Sequence, residues 1–475
     1  MKINAIDVEA TLNKTKVLLG EETDLSPALR SIIDVLIMLV SVLLNRATLN
    51  SHNSSKPPSS DPNRKKNKRT KTGKPSGGQQ CHVGTTLQTI ADPDHITVIK
   101  VDRRTLPKGE YRDVGFETRQ VFDIDISRCI TEYQAQILED ESGQRFVAPF
   151  PDGVTKAVQY GNQLEAHAVY LSQYQLLPYK RVQEYFSDQL NMPVSEGSLY
   201  NFNHQAFTQL AEFEQISQDQ LAQADVNHAD ETGININGKR HWLHCTSNDL
   251  WTHYFPHQKR GKEAMDTINI LPRFHGILCH DHWKPYYRYA FTHALCNAHH
   301  LRELTRADEQ DHQQWANDME QLLREINRTV NQAGGALAHD EAEAIRHRYR
   351  MLLKQAEIEC PPPRPPPGKP KRGKLKRSKA RNLLERLRNY EDDVLRFMEN
   401  PRVPFTNNRG ENDIRMTKVQ QKISGCFRSM TGAMISCRIR GYLSSCRKQG
   451  MSATQAMNLV FEGKLPAFAQ PDELR

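Results

Sequence analysis

No Cys-x-x-Cys pair occurs anywhere in the 475 residues of this chain. Its nine cysteines, at 81, 129, 245, 279, 296, 360, 426, 437 and 446, are scattered without a repeat. An odd, unpatterned set excludes a disulfide framework and is what reduced thiols in a cytosol look like. No secretory leader is recognisable at the start. The longest apolar run, Ile32 to Leu44, carries Asp34 and falls short of the ~20 residues that span a bilayer, so no membrane is expected. No self-similarity at a spacing of 20 to 50 residues is visible, which excludes a solenoid or propeller.

What is present fits a large soluble protein. Hydrophobic residues make up 37% and charged residues 25%, and the length implies three or so folding units. The net charge of +8 is unevenly placed. Arg64 to Lys74 holds seven basic residues and no acid, and Lys369 to Arg381 holds eight and no acid. Without those two tracts 49 basic residues face 56 acidic ones, so the excess positive charge is concentrated in them. That placement suits segments that meet a polyanion, with Lys65, Lys66, Lys68 and Arg69 as candidate DNA contacts; a solvated linker is the alternative.

Seven regions follow along the chain. Residues 1–50 form a helical assembly segment: Ser26-Pro27 starts a helix, and Leu29, Ile32, Leu36, Leu39 and Leu43 recur at coiled-coil spacing. Self-association is expected there, packing within the chain being the alternative. Residues 51–80, rich in Ser, Pro, Lys and Gly, are expected to be a disordered basic linker. Residues 81–155 are expected to be a small β-rich domain, with strands over Thr97 to Val101 and Gln120 to Ile124. Residues 156–224 are helical. Tyr179 to Leu190 and a second helix capped by Ser195 suggest a helix-turn-helix, either for DNA or as an ordinary helical pair.

The pattern turns to α/β in residues 225–300, with strand-like runs at Val226–Ile236, Arg240–Thr246, Leu250–Phe255 and Gly276–Cys279 and a helix around Gly261–Leu271. Three strands, a helix and a fourth strand is the order of an RNase H-like core, a mixed sheet with flanking helices. Residues 301–400 are a helical insertion with a proline-rich run and the second basic tract, which separates the acids at little cost if it folds as its own helical unit. Residues 401–475 complete the core.

Three acids stand out. Asp230 lies in the first strand-like run, Asp281 ends the fourth, and Glu411 opens a helical stretch with Arg415, Lys418 and Lys422 at i+4, i+7 and i+11. That spacing places one carboxylate and three cations on a single helical face, as chemistry on a DNA backbone requires. Glu231 should point to the opposite face of its strand from Asp230, and Asp413 lies off the cationic face, so neither is chosen. Trp283 and Tyr286 either stack on an unpaired base or cap the core, and Lys284 is a candidate backbone contact.

The runs HADET, DHWKPYYRY, CNAHHLREL and VPFTNNRGENDIRMTKVQQKISGCFRS together resemble the DDE transposases of the insertion-sequence-66 family, as more loosely does NSHNSSKPPSSDP. The last long run is the most specific, with about 27 consecutive positions following one pattern. The resemblance implies an RNase H-like catalytic core and two divalent ions, Mg²⁺ or Mn²⁺. Asp230 would be shared by both ions, and Asp281 and Glu411 would each complete one. It implies cleavage at terminal inverted repeats, transfer of the freed 3′-hydroxyl to target DNA, a homo-oligomer on DNA and a cytoplasmic, nucleoid-associated location. Accessory proteins encoded by the same element are a further implied partner. Similar Cys-x-x-His pairs recur in several DDE families, which makes His299 a candidate support for the metal ligands, a buried core histidine being the alternative. The family often carries a zinc module in the region of 81–155, but only Cys81 and Cys129 are present here, so no zinc is expected. Rival readings are a structure-specific RNase H-like nuclease and an inactive DNA-binding relic of a transposase.

Overall fold

The computed structural model describes residues 2–3, 6–22, 24–50, 53–54, 61, 87–363, 375 and 377–470. Lys65, Lys66, Lys68, Arg69 and Cys81 lie outside the described residues, as do 369–374 and 376 of the second basic tract.

The centre of the molecule is a five-stranded mixed sheet of β1 (Val226–Ile236), β2 (Lys239–Ser247), β3 (Thr252–His257), β4 (Ile277–His280) and β5 (Thr292–Leu295), in the order β3-β2-β1-β4-β5. The first three strands pair antiparallel, with Asp230 opposite Cys245. Asn237 and Gly238 both take positive φ, 48° and 73°, in the tight turn between β1 and β2, where the twist of a two-residue hairpin loop demands it. On the other side β4 runs parallel to β1, and β5 parallel to β4. The four expected strands are present within a few residues of their limits. Thr292–Leu295 was not expected: four residues between HWKPYYRY and CNAHH are too short a run to show a period.

The helices that build the site are α1 (Asn297–Asp311), α2 (Gln314–Gln332), α3 (His339–Glu359), α4 (Lys379–Asn389), α5 (Asn408–Ser424) and α6 (Met430–Lys448). Strand alternation divides the core. Ile234 and Ile236 of β1 pack with Leu243, Tyr254, Ile414 and Cys437 under α5 and α6. Ala229 faces the other way, onto Met265, Phe274, Leu278 and Tyr286. A third core joins the helices of 162–222 to α6 and Ala453–Phe461.

The insertion does not close on itself. Trp315, Met319, Leu322, Leu323 and Ile326 form the apolar stripe of α2, and the cluster they belong to continues into Cys279, Ala294 and Leu295 of the sheet. An uncovered β4–β5 edge would leave those residues in water, so the helices cover it. The end of the second basic tract is structural as well: Arg381 is buried and paired with Glu357 and Glu385.

Two further expectations change. Thr97 to Val101 and Gln120 to Ile124 form no strands; Ile99 and Val121 are 86% and 90% exposed, and the regular strands described within 87–155 are Ile137–Glu139 and Arg145–Val147. A strand needs an edge to pair with and a layer to cover it, and neither reaches this segment. The apolar helix at the N-terminus spans Pro27–Thr48, so by length and composition alone Pro27–Leu44 is enough to cross a membrane, a weak indication since core helices and signal sequences pass the same test. The expectation counted only Ile32 to Leu44. Leu29, Ile32, Leu36, Leu39 and Leu43 are all exposed on it. The pair Tyr179–Leu190 and Glu196–Gln209 forms as expected, with the Ser195 hydroxyl accepting from the Ser198 amide at 3.0 Å; the second helix carries no lysine or arginine.

Candidate active site

β1, the end of β4 and the first turn of α5 bring Asp230, Asp281 and Glu411 together. The side chain of Asp230 sits on the central strand, and its own Oδ1 accepts from the Glu231 amide at 2.8 Å. Asp281 follows β4 at a sharp turn. Its Oδ1 accepts from the Trp283 amide at 3.0 Å, and His282 between them takes φ of 70°, uncommon for a residue with a side chain. Glu411 stands one turn into α5.

What fixes α5 over the sheet is Asn407, the residue just before its first turn. Its side chain caps nothing. Instead Oδ1 meets His228 Nδ1 at 2.7 Å, and Nδ2 donates to the Ala229 carbonyl at 2.9 Å. Its amide donates to Cys296 Sγ at 3.1 Å, which ties the helix to the start of α1. Gly410 lets this happen: a Cβ there would stand 3.2 Å from Asn407 Oδ1 and 3.5 Å from His228 Cβ. Asn408 is the first helical residue. After α5, Phe427 exchanges backbone hydrogen bonds with Asn235 and Asn237, anchoring the far end of the helix to β1.

The electrostatics are those of an acid cluster short of cations. Burial, and then the charges of Glu231, Asp281 and Glu411, hold the Asp230 carboxyl well above the usual range. Burial raises Asp281 as well, against the Trp283 amide, Arg260 and Arg386. Glu411 is raised by burial and by Asp281, with Arg302 opposing. Its Oε1 is buried without a hydrogen bond, 3.7 Å from His299 Nδ1 and 3.8 Å from Arg302. His299 is pushed down to about 4 by burial, Arg302 and Arg386, so it is neutral near pH 7. Repelling, part-buried carboxylates with an unpartnered oxygen are a donor set that hard divalent cations fit. Cys296, His299 and Glu411 also place donor atoms within 4.8 Å of one another, three of the four ligands a tetrahedral zinc would need.

The other candidate cations fall into two sets, bonded and free of a described partner. Lys418 donates to the Gly233 carbonyl at 2.9 Å, so it fastens α5 to β1. Lys284 donates to Tyr390 at the end of α4, at 2.6 Å. Arg415 and Lys422 are exposed. Lys418 also feels the Asp230 carboxylate, and the further cations that act on the acids are Arg260, Arg302 and Arg386; Arg302, three residues after His299 on α1, was the most findable by helical spacing. Of the rejected acids, Asp413 is bound to Lys448 at 2.9 Å, and Glu231 takes the opposite face of β1, bonded to Tyr286 and Arg260. Tyr286 is a core residue, and Trp283 is half-buried against it.

Comparison with known proteins finds similarity along much of the chain. A family of unknown function (DUF6444) matches residues 8–88. Among curated proteins, an uncharacterized protein (y4jO) of Sinorhizobium fredii (strain NBRC 101917 / NGR234) is 36% identical over 70 residues, 15% of this chain and 22% of the relative. The chain thus spans under a quarter of that relative's length. The model described as Transposase IS66 family matches residues 157–435, more than half of the chain and all three acids, and the chain belongs to that family.

Proposed function

We propose that the chain is a DDE-type transposase with an RNase H-like catalytic core, in which Asp230, Asp281 and Glu411 hold two divalent ions, Mg²⁺ or Mn²⁺. The strand order β3-β2-β1-β4-β5, with three antiparallel strands and two parallel, supports the core assignment. The observation that carries the function is the convergence of three acids from β1, the β4 end and α5 into one cluster whose members raise one another's pKa. Bound ions would relieve that repulsion, help to activate the attacking oxygen and neutralise the leaving oxyanion.

The chain's own residues then set the geometry. Asn407 and Lys418 lock α5 to β1, so Glu411 keeps its distance from Asp230. Arg302 and neutral His299 flank Glu411 and limit its rotamers. Water attacks phosphorus at the end of the element, the P–O3′ bond breaks, and O3′ leaves with a proton as a hydroxyl. That hydroxyl then loses its proton and attacks a target phosphodiester, releasing the target's own 3′-oxygen. DNA carrying the terminal inverted repeats is the substrate of the first step and target DNA of the second, with a homo-oligomer as the working form.

Asp230→Asn, Asp281→Asn and Glu411→Gln each keep shape and remove the charge that holds a cation. Each is expected to abolish nicking and joining of an element-end duplex, as EDTA should in the wild-type chain, while circular dichroism and DNA binding stay near wild type. A variant that nicks at the wild-type rate takes its residue out of the site.

A further inference from the structure

The face of the sheet opposite α5 carries side chains that the carboxylate chemistry does not use. Glu231 is buried there to 1% of its side-chain surface. One oxygen accepts from Tyr286 at 2.7 Å, and the other from Arg260, whose Nε donates at 2.8 Å and whose Nη2 binds the same atom. Arg260 lies over two indoles, its guanidinium carbon 4.8 Å from the Trp242 centroid and 4.3 Å from that of Trp283. Arg240 also stands over Trp242, at 4.8 Å.

A guanidinium has five N–H groups in one plane. Two point at Glu231, and Nη1 makes no hydrogen bond among the described residues, while the side chain stays 37% exposed. A partner meant only to neutralise Glu231 would have no need of two rings and an open edge. Stacking and the ion pair instead fix the plane, so its free edge loses little rotamer entropy on meeting an anion. Arg260 stands close enough to Asp281 to lower its pKa, and Arg240, over the same indole, and Lys259, its neighbour in the chain, are exposed. A planar fork suits two oxygens of one phosphate.

We propose that Trp242, Arg260 and Trp283 clamp one phosphodiester of a DNA strand running past the carboxylate centre, with Glu231 as the positioning residue that aims the guanidinium. The proposal rests on DNA as the substrate but not on the cleavage chemistry.

The test is binding of a fluorescein-labelled 30-base-pair duplex to the full chain in EDTA across a salt series. Arg260→Ala should weaken binding about tenfold and flatten the salt slope by about 0.9, one phosphate contact. Arg260→Lys, which keeps the charge without the fork, should lose affinity and retain the slope. Trp283→Ala should weaken wild-type binding yet add nothing to Arg260→Ala, because it acts through that residue. Glu231→Gln gives an opposite-sign check: removing a negative charge from beneath a DNA-facing surface ordinarily tightens binding, whereas loss of the aiming carboxylate should weaken it several-fold. Thermal melts exclude variants that fail to fold, and Arg260→Lys remains decisive if Glu231→Gln does. The clamp is overturned if Arg260→Ala and Arg260→Lys both bind like wild type, if Glu231→Gln binds tighter, or if Trp283→Ala weakens binding equally with and without Arg260. Because no divalent ion is present, these outcomes are separate from the nicking assay that tests the three acids.

Discussion

Residues 97–124 and β1 use a similar alphabet of alternating β-branched and polar residues, and their fates differ. In β1, Ile234 is 1% exposed, with β2 on one edge, β4 on the other and α5 across one face. In the earlier stretch Ile99 is 86% exposed and pairs with no strand. Alternation states which face a strand would bury; it does not supply the partner that makes burial possible. The acids of the site sit in the region where the partner exists, since only a braced strand holds a carboxylate against its neighbours' repulsion.

The contrast is sharpest between matched truncations. Ile234→Ala should destabilise the core by about 2–5 kcal/mol in urea unfolding, through lost burial and the cavity left between β1 and α5. Asn407→Ala comes next. It leaves His228 and the Ala229 carbonyl without their buried partner, at about 1–3 kcal/mol, and should lower single-turnover nicking further than stability predicts because α5 shifts. Asn408→Ala, its exposed neighbour, should change neither measurement by a comparable amount. The smallest effect belongs to Ile99→Ala and Val121→Ala, each within ~0.5 kcal/mol. If either matched Ile234→Ala, the stretch would have a packing partner in solution, and the contrast would break.

Much of the site was legible. HADET, the aspartate after GILCH and the glutamate in NNRGEN each came with an element type, and the structure brings the three into one cluster. Alternation also predicted that Glu231 would leave Asp230's face. The cations were legible in part. Spacing on α5 pointed to Arg415, Lys418 and Lys422, and Lys418 does stand near Asp230 while bonded to Gly233, but Arg260, Arg302 and Arg386 come from a loop, α1 and α4. The periodicity of one helix cannot report charges that arrive from other elements.

The sequence by itself determined four of the five strands of the sheet, the helix that carries Glu411, the faces they bury and the acids they carry, because periodicity is a local property of a chain. Tertiary structure alone decided what meets across those elements. Asn407 holds α5 instead of capping it, the insertion covers the β4–β5 edge instead of folding apart, and Glu231 binds Arg260 between two indoles. Each of these depends on residues far apart in the chain, and their contacts exist only once the sheet has formed and its edges and faces have been covered.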